Sequence, residues 1–220
     1  MKKNEIIRRE LVTTDLHLRE QGEGEAESRT IAGYAILFGR QSAPLYEDDE
    51  KVVREVISPS AVTASLLDGS DIKMTMFHDR QLILARSNKG QGTLSYSIDE
   101  KGVHFEFEAP HTADGDKAIE LVKRGDIAGC SFAFSTYYYD EDYVTRESET
   151  IDGIDNVTYT VNRMLGVHDF TLAADPAYPE TSVEAREREL KDHEEIVQPK
   201  GEDISAQVAA MRNAAKRKII

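Results

Sequence analysis

The sequence has one cysteine, no tryptophan and fewer basic than acidic residues, and these shortages exclude several classes of protein. A single cysteine cannot form an intramolecular disulfide, so a disulfide-stabilised secreted domain is excluded. With 27 Lys and Arg against 41 Asp and Glu, the formal net charge is −14, which argues against a general nucleic-acid-binding protein. No apolar run approaches the roughly 20 residues of a membrane-spanning helix. Basic residues at the start are followed by no apolar stretch, so we expect no secretory signal and a reducing cytoplasm.

Motifs for metals and nucleotides are also missing. His104 and His111 are accompanied by neither a cysteine pair nor an HExxH spacing, so no zinc site is expected. The sequence has no P-loop and no dinucleotide-binding glycine pattern. We therefore expect neither a metal nor a cofactor.

A length of 220 residues fits one domain with tails. We predict an N-terminal strand and a flexible, acidic joint in residues 1–28, and a folded domain in residues 29–183. The composition then shifts to dense charge of both signs, which indicates a C-terminal tail over 184–220 with an amphipathic helix at 203–218.

Within the domain, local signals predict two helices and a series of strands. Residues 59–67 are predicted to be a short helix with Ser58 as its N-cap, and residues 114–123 a helix that Gly125 stops. Residues 137–156 fit either a solvated hairpin or part of a substrate groove, and their charge favours the hairpin. Strands are predicted at 6–18, 31–38, 72–78, 82–85, 93–98, 103–108 and 129–136.

The segment GCSFAFST at 129–136 carries the first candidate functional residue, Ser131. In a strand, Cys130 and the two phenylalanines would share one face, and Ser131, Ala133 and Ser135 the other. The apolar face would anchor the strand to a core. The small residues around Ser131 would leave room for a substrate backbone, as a nucleophile requires, although an ordinary strand serine is the alternative.

Two further segments carry residues that could activate a serine. The strand predicted over 72–78 would have His78 as its last inward-facing residue, suited to a general base or to a structural hydrogen bond. The segment LGVHDFTLAADPAYP at 165–179 places Asp169 between Val167 and Thr171 on one face of a strand. Because burying an unpaired carboxylate is costly, Asp169 would pair with a histidine, hold a structural hydrogen bond or lie exposed at a sheet edge. With the first option the three residues are candidates for a Ser/His/acid constellation.

Cys130 is an alternative nucleophile. Its predicted position on the apolar face argues against this role, because burial raises the pKa of a thiol and lowers its reactivity.

Six sequence blocks occur in a defined order between residues 30 and 180. The blocks are GYAILF at 33–38, ISPSAV at 57–62, FHD at 77–79 with LAR at 84–86, GVHF at 102–105, LVKRGDIAGCSFAF at 121–134 and the 165–179 segment. In this order they resemble the prohead (capsid maturation) proteases of tailed phages, and the resemblance spans roughly residues 30–180.

The resemblance implies a fold similar to the herpesvirus assembly proteases: β-rich α+β, a mostly antiparallel β-barrel surrounded by helices. It implies a serine endopeptidase with Ser131 as nucleophile, His78 as general base and Asp169 as third member. His168 is the rival third member, because the herpesvirus relatives use a second histidine there. By strand alternation His168 is predicted on the face opposite Asp169.

The chain departs from the family pattern in three places. Ala133 and Ser60 stand where the family has glycine, and both changes are small. Asp169 stands where glutamate is more frequent, so its carboxylate would reach about one methylene less far. The oxyanion donors stay unassigned, with backbone N–H groups near Ser131 and the Arg163 side chain as hypotheses.

The functional hypothesis is an endopeptidase that cleaves scaffold and major capsid proteins, and its own tail, during prohead maturation. It would act in the host cytoplasm, inside the assembling prohead, with neither nucleic acid nor membrane as a partner. The alternative is a non-catalytic capsid assembly factor of the same fold that binds scaffold. The sequence leaves the oligomeric state open, with a homo-oligomer as one alternative.

Overall fold

The computed structural model describes residues 5–11, 16–19 and 28–174. These residues contain α1 (Ala64–Gly69), α2 (Ala113–Arg124) and fourteen strands. The strands are β1 (Glu5–Leu11), β2 (His17–Leu18), β3 (Thr30–Leu37), β4 (Tyr46–Glu47), β5 (Lys51–Ile57), β6 (Asp71–Met76), β7 (Asp79–Asn88), β8 (Gln91–Gly92), β9 (Leu94–Ile98), β10 (Gly102–Glu108), β11 (Gly129–Thr136), β12 (Val144–Ile151), β13 (Ile154–Val161) and β14 (Gly166–Ala173).

The described strands form three sheets. The first has the spatial order β1-β11-β14-β6-β7-β8, the second β2-β3-β10-β9 and the third β12-β13-β5-β4. Neighbouring strands run antiparallel except in the pairs β14–β6 and β13–β5, which are parallel. Strands that are distant in sequence, such as β6, β11 and β14, are thereby brought side by side in the first sheet.

The core cluster contains buried residues from all three sheets. Phe170 of β14 packs against Phe105 of β10, with ring centroids 6.3 Å apart. On β11, the rings of Phe132 and Phe134 stack 5.5 Å apart. All four side chains are fully buried, and burial of each contributes roughly 1.5–3 kcal/mol. The first sheet is thus anchored through one of its faces.

Helix α2 begins and ends where local signals predict. The Thr112 hydroxyl accepts a hydrogen bond from the Gly115 N–H at the N-terminus. Gly125 ends the helix in the left-handed conformation, with φ of 78°. The helix leads through residues 126–128 into β11. The predicted helix at 114–123 and its stop at Gly125 are confirmed.

The helix predicted over 59–67 is two elements instead. A 3₁₀ turn spans Pro59–Ala61, and the Ser58 hydroxyl accepts from the Ser60 N–H as predicted for an N-cap. Val62 is then extended, and the Thr63 hydroxyl caps α1 by accepting from the Leu66 N–H. The prediction of one helix is wrong because Val62 is extended and Thr63 is the N-cap of a separate helix.

The charged region after β11 forms the hairpin that its composition favours. β12 pairs with β13, and the turn residues Asp152 and Gly153 have φ of 53° and 88°. Two consecutive positive φ values are typical of a tight two-residue hairpin turn.

Two parts of the predicted architecture are not confirmed by the structure. The described strands form three sheets and no closed barrel is found among them. Two α-helices in the described residues do not confirm a barrel surrounded by helices, so likeness to the herpesvirus proteases stays a prediction. The 184–220 tail with its helix, and residues 20–27 of the joint, lie outside the described residues. No helix in the described residues is long and apolar enough to cross a membrane.

Candidate active site

Ser131 lies on β11, which is flanked by β1 on one side and β14 on the other. Cys130, Phe132 and Phe134 join the core cluster, as the alternation predicts. Ser131 lies on the opposite face, but this face is not open, because Ser131 has 0% relative exposure. The prediction that small neighbours leave room for a substrate is therefore wrong for this conformation.

His78 lies in a turn after β6, not at the end of a strand. β6 ends at Met76, and Phe77 and His78 have φ of 54° and 55°, in the left-handed region. The turn is attached to β14 because the Phe77 N–H donates to the Leu172 carbonyl at 3.0 Å and the His78 N–H donates to Thr171 Oγ1 at 2.9 Å. The predicted strand over 72–78 is thus two residues too long, because long-range hydrogen bonds stabilise the turn.

Asp169 lies on β14, opposite Ala133 of β11, and is buried with 2% exposure. A register shift separates the pairs Ala133–Asp169 and Phe134–Val167, so β14 carries one extra residue there. Val167 belongs to the buried core cluster. The predicted placement of Val167 and Asp169 on one face is wrong, because the bulge interrupts the alternation.

The three candidate side chains meet around the His78 ring. His78 Nε2 is 2.8 Å from Ser131 Oγ, and His78 Nδ1 is 2.8 Å from Asp169 Oδ1. The shorter aspartate therefore reaches the ring. Both bonds are satisfied if the Ser131 hydroxyl donates to Nε2 and the Nδ1–H donates to the carboxylate. The side chains of His78 and Asp169 are 15% and 3% exposed, so the arrangement is largely shielded from water.

His168 occupies the extra position of the bulge. Gly166 is the cross-strand partner of Ser135, and a methyl group at Gly166 would lie 3.5 Å from both Ser135 Oγ and His168 Cε1. The His168 ring therefore lies on the same side of the sheet as the Ser135 side chain. The predicted opposite-face position of His168 is thus wrong, again because of the bulge. His168 Nε2 is buried without a hydrogen-bond partner among the described residues. Both ring nitrogens of His78 are occupied by Asp169 and Ser131, which leaves none for His168.

Burial also affects the charge of His168. Burial lowers the pKa of His168, with Arg80 and Lys73 acting in the same direction and Asp169 opposing them. Near neutral pH the ring is therefore uncharged, and gives little electrostatic support to a neighbouring imidazole.

Cys130 is buried on the apolar face. Burial raises the pKa of its thiol to about 12, so the thiolate is scarce near neutral pH. This agrees with the interpretation of Cys130 as a core residue.

Neither hypothesis for the oxyanion donors gains support from the geometry. The Arg163 guanidinium lies over the Tyr143 ring at 5.3 Å, and the Arg163 carbonyl accepts from the Thr136 hydroxyl. Thr136 is roughly 17 Å along β11 from Ser131 at the rise of a strand. Ser131 itself pairs with Glu10 on one side and Thr171 on the other, so the β11 N–H groups are used in the sheet.

Thr171 and Thr75 were missed as residues of this site. Thr171 is the cross-strand partner of Ser131, and its hydroxyl accepts from both the His78 N–H and the Thr75 hydroxyl. The one available signal was the position of Thr171 two residues after Asp169, on the same face of a strand. Their hydrogen bonds depend on the parallel β14–β6 pairing, which local patterns do not reveal.

No cluster of three or more His, Cys, Asp or Glu side chains that could hold a metal ion occurs within the ranges the structure describes. A serine hydroxyl, an imidazole and a carboxylate joined in this order have the geometry of a serine-hydrolase relay.

Sequence comparison gives the family. The chain matches the caudovirus prohead serine protease family over residues 14–196 and belongs to that family. No curated protein is detectably similar to it in sequence. Among solved structures it is similar to the bacteriophage T4 capsid assembly protease gp21, with a TM-score of 0.38 and 8% identity. The alignment covers 76% of this chain and 98% of the T4 chain.

Proposed function

We propose that this chain is an active serine endopeptidase in which Ser131, His78 and Asp169 form the catalytic triad. The observation that supports this most is the pair of 2.8 Å hydrogen bonds that joins Ser131 to His78 and His78 to Asp169. Membership of a serine protease family agrees with the chemistry of these three groups.

In this proposal the Ser131 oxygen attacks the carbonyl carbon of a peptide bond while His78 Nε2 accepts the hydroxyl proton. His78 then donates that proton to the leaving amine as the C–N bond breaks, which leaves an acyl-enzyme. Water hydrolyses the acyl-enzyme by the same proton route and restores the serine. Asp169 holds the ring in the Nδ1–H tautomer and stabilises its charged form.

Access to the nucleophile requires a change in the site. Ser131 is fully buried, so a substrate carbonyl reaches its hydroxyl only after the site opens.

The family name points to substrates within the assembling phage head. We propose that the enzyme cleaves scaffold and capsid-associated proteins inside the prohead, in the host cytoplasm, and removes part of its own 184–220 tail. The role needs neither metal nor cofactor, because nucleophile and base are both side chains.

The test of catalysis compares Ser131→Ala with Cys130→Ala, which alters the neighbouring residue on the opposite face. Ser131→Ala should lower peptide cleavage by roughly 10⁴-fold or more, because the nucleophile is lost. Cys130→Ala should retain cleavage with a modest loss of stability. The assay is cleavage of co-expressed capsid and scaffold proteins, followed by mass spectrometry.

Cleavage that persists in Ser131→Ala and disappears in Cys130→Ala would reverse the assignment. Scaffold binding without cleavage by the parental chain would instead support a non-catalytic assembly factor of the same fold.

Self-processing is tested separately by following intact mass. The purified parental protein should lose C-terminal residues with time, whereas Ser131→Ala should keep its full length. A catalytically active preparation whose mass stays constant would contradict removal of the tail.

A further inference from the structure

The turn that carries His78 adopts a conformation that its own residues do not favour. Phe77 and His78 both have φ near 55°, and neither is a glycine. A side chain in this region of backbone space is disfavoured by steric contacts, and it persists only when the surroundings stabilise it. The turn therefore depends on contacts from outside its own segment.

Two buried hydroxyl groups supply such a contact. Thr171 Oγ1 accepts the His78 N–H at 2.9 Å and also accepts the Thr75 hydroxyl at 2.9 Å. Thr75 and Thr171 both have 0% exposure, so water cannot replace these bonds. The Thr75 hydroxyl thereby helps to fix the rotamer in which Thr171 faces the His78 backbone.

Thr171 also lies where backbone placement matters most for the relay. It pairs with Ser131 across β11–β14 and follows Asp169 by two residues on β14. One strand thus holds His78 at two points: Asp169 binds the ring, and Thr171 binds the main chain. A rigid element that holds both points defines the distance from Nε2 to the Ser131 hydroxyl.

We propose that Thr171, supported by Thr75, is a positioning residue that holds His78 in register with Ser131 and Asp169. This inference rests on the proposed protease function. Its effect is on the alignment of the base, so it should change turnover and leave substrate binding nearly unchanged.

The kinetic test uses three variants at the site and one matched control. Thr171→Val removes the hydroxyl at nearly constant volume, Thr171→Ser retains it, and Thr75→Val removes only the supporting donor. Thr136→Val is the control, because Thr136 is also fully buried on this sheet and its hydroxyl binds the Arg163 carbonyl, away from His78.

We expect Thr171→Val to lower kcat by about 10²-fold with KM within about threefold of the parent. Thr171→Ser should recover most of kcat, and Thr75→Val should lower it about tenfold. Thr136→Val should keep kcat while its melting temperature falls. The proposal is overturned if Thr171→Val keeps kcat within about threefold, if Thr136→Val loses turnover equally, or if Thr171→Ser recovers nothing.

A spectroscopic arm separates this inference from the proposed function. In a Ser131→Ala background, proton NMR should show the His78 Nδ1–H bonded to Asp169 as a downfield resonance. Thr171→Val should abolish or shift that resonance, and Thr136→Val should retain it. If the parental protein cleaves no peptide, the proposed function fails while this comparison still decides the positioning role. If Thr171→Val does not fold, Thr75→Val decides it through the same resonance: a shift supports the role and an unchanged resonance overturns it.

Discussion

Both faces of β11 are buried, but one face is apolar and the other carries the hydroxyl groups of Ser131 and Ser135. All eight residues of the strand are buried, yet Cys130, Phe132 and Phe134 pack into an apolar core while Ser131 contacts a histidine. On the core face, burial raises the pKa of the Cys130 thiol and leaves it inert. On the other face, the buried Ser131 hydroxyl is bonded to a base. Burial therefore keeps the Cys130 thiol protonated, whereas the adjacent Ser131 hydroxyl is hydrogen-bonded to a group that can accept its proton.

The neighbouring strand β14 repeats this division. Phe170 and Leu172 belong to the core, while Asp169 and Thr171 both bind His78 from the other face. His168 is the extra residue of the bulge between Val167 and Asp169. It belongs neither to the apolar core nor to the residues that bind His78. The division between the faces can thus be tested at Asp169, at Cys130 and at His168.

The largest effect is expected at the carboxylate. Asp169→Asn should lower kcat by about 10³–10⁴-fold, because an amide in this position favours the wrong tautomer of His78. His168→Gln should stay within a few-fold of the parent, since His78 has no ring nitrogen left for it. The measurement is steady-state peptide cleavage, with circular dichroism to show that both variants fold. A fully active Asp169→Asn together with an inactive His168→Gln would make His168 the third member.

A smaller effect is expected for the thiol on the core face. Because burial raises the pKa of Cys130 from about 9 to about 12, its thiolate fraction near pH 8 falls by roughly 10³-fold. Native protein should therefore react with a thiol reagent at least about 10³-fold more slowly than protein unfolded in guanidinium. The rate of colour release by a disulfide reagent measures this. Equal rates in both states would show that burial on the core face does not suppress the reactivity of the Cys130 thiol.

The smallest effect concerns stability at acidic pH. Burial lowers the pKa of His168, so below its ordinary value of about 6.5 the unfolded chain binds a proton that the folded chain resists. The free energy of unfolding is therefore highest, as far as His168 is concerned, at neutral pH, where the ring is neutral in both states. It decreases as the pH falls below about 6.5, because the unfolded chain then binds the proton first. His168→Gln should reduce the loss of stability between pH 7.5 and 5, as measured by urea unfolding at each pH. An unchanged pH dependence would show that His168 is protonated equally in both states.

Local signals in the sequence determined those features that depend on neighbouring residues. The alternation at 129–136, the stop of α2 at Gly125 and the hairpin after β11 were predicted from side-chain period, capping and a run of charged residues, which are all local features. The choice of Ser131, His78 and Asp169 came from these patterns together with a family resemblance. The domain limits at 28 and 183 stay predictions.

Tertiary structure alone decided the features that depend on strands distant in sequence. The end of β6 at Met76 and the left-handed turn at His78 depend on hydrogen bonds to Thr171 and Leu172, about 90 residues away in the chain. The bulge at His168 results from the register of β14 against β11, which no local period encodes. Three sheets instead of one closed barrel, and the full burial of Ser131, likewise follow from long-range pairing and packing. Local patterns predicted which residues of β11 share a face, but only the assembled sheet decided the faces of Val167 and His168 on β14 and which side chains meet.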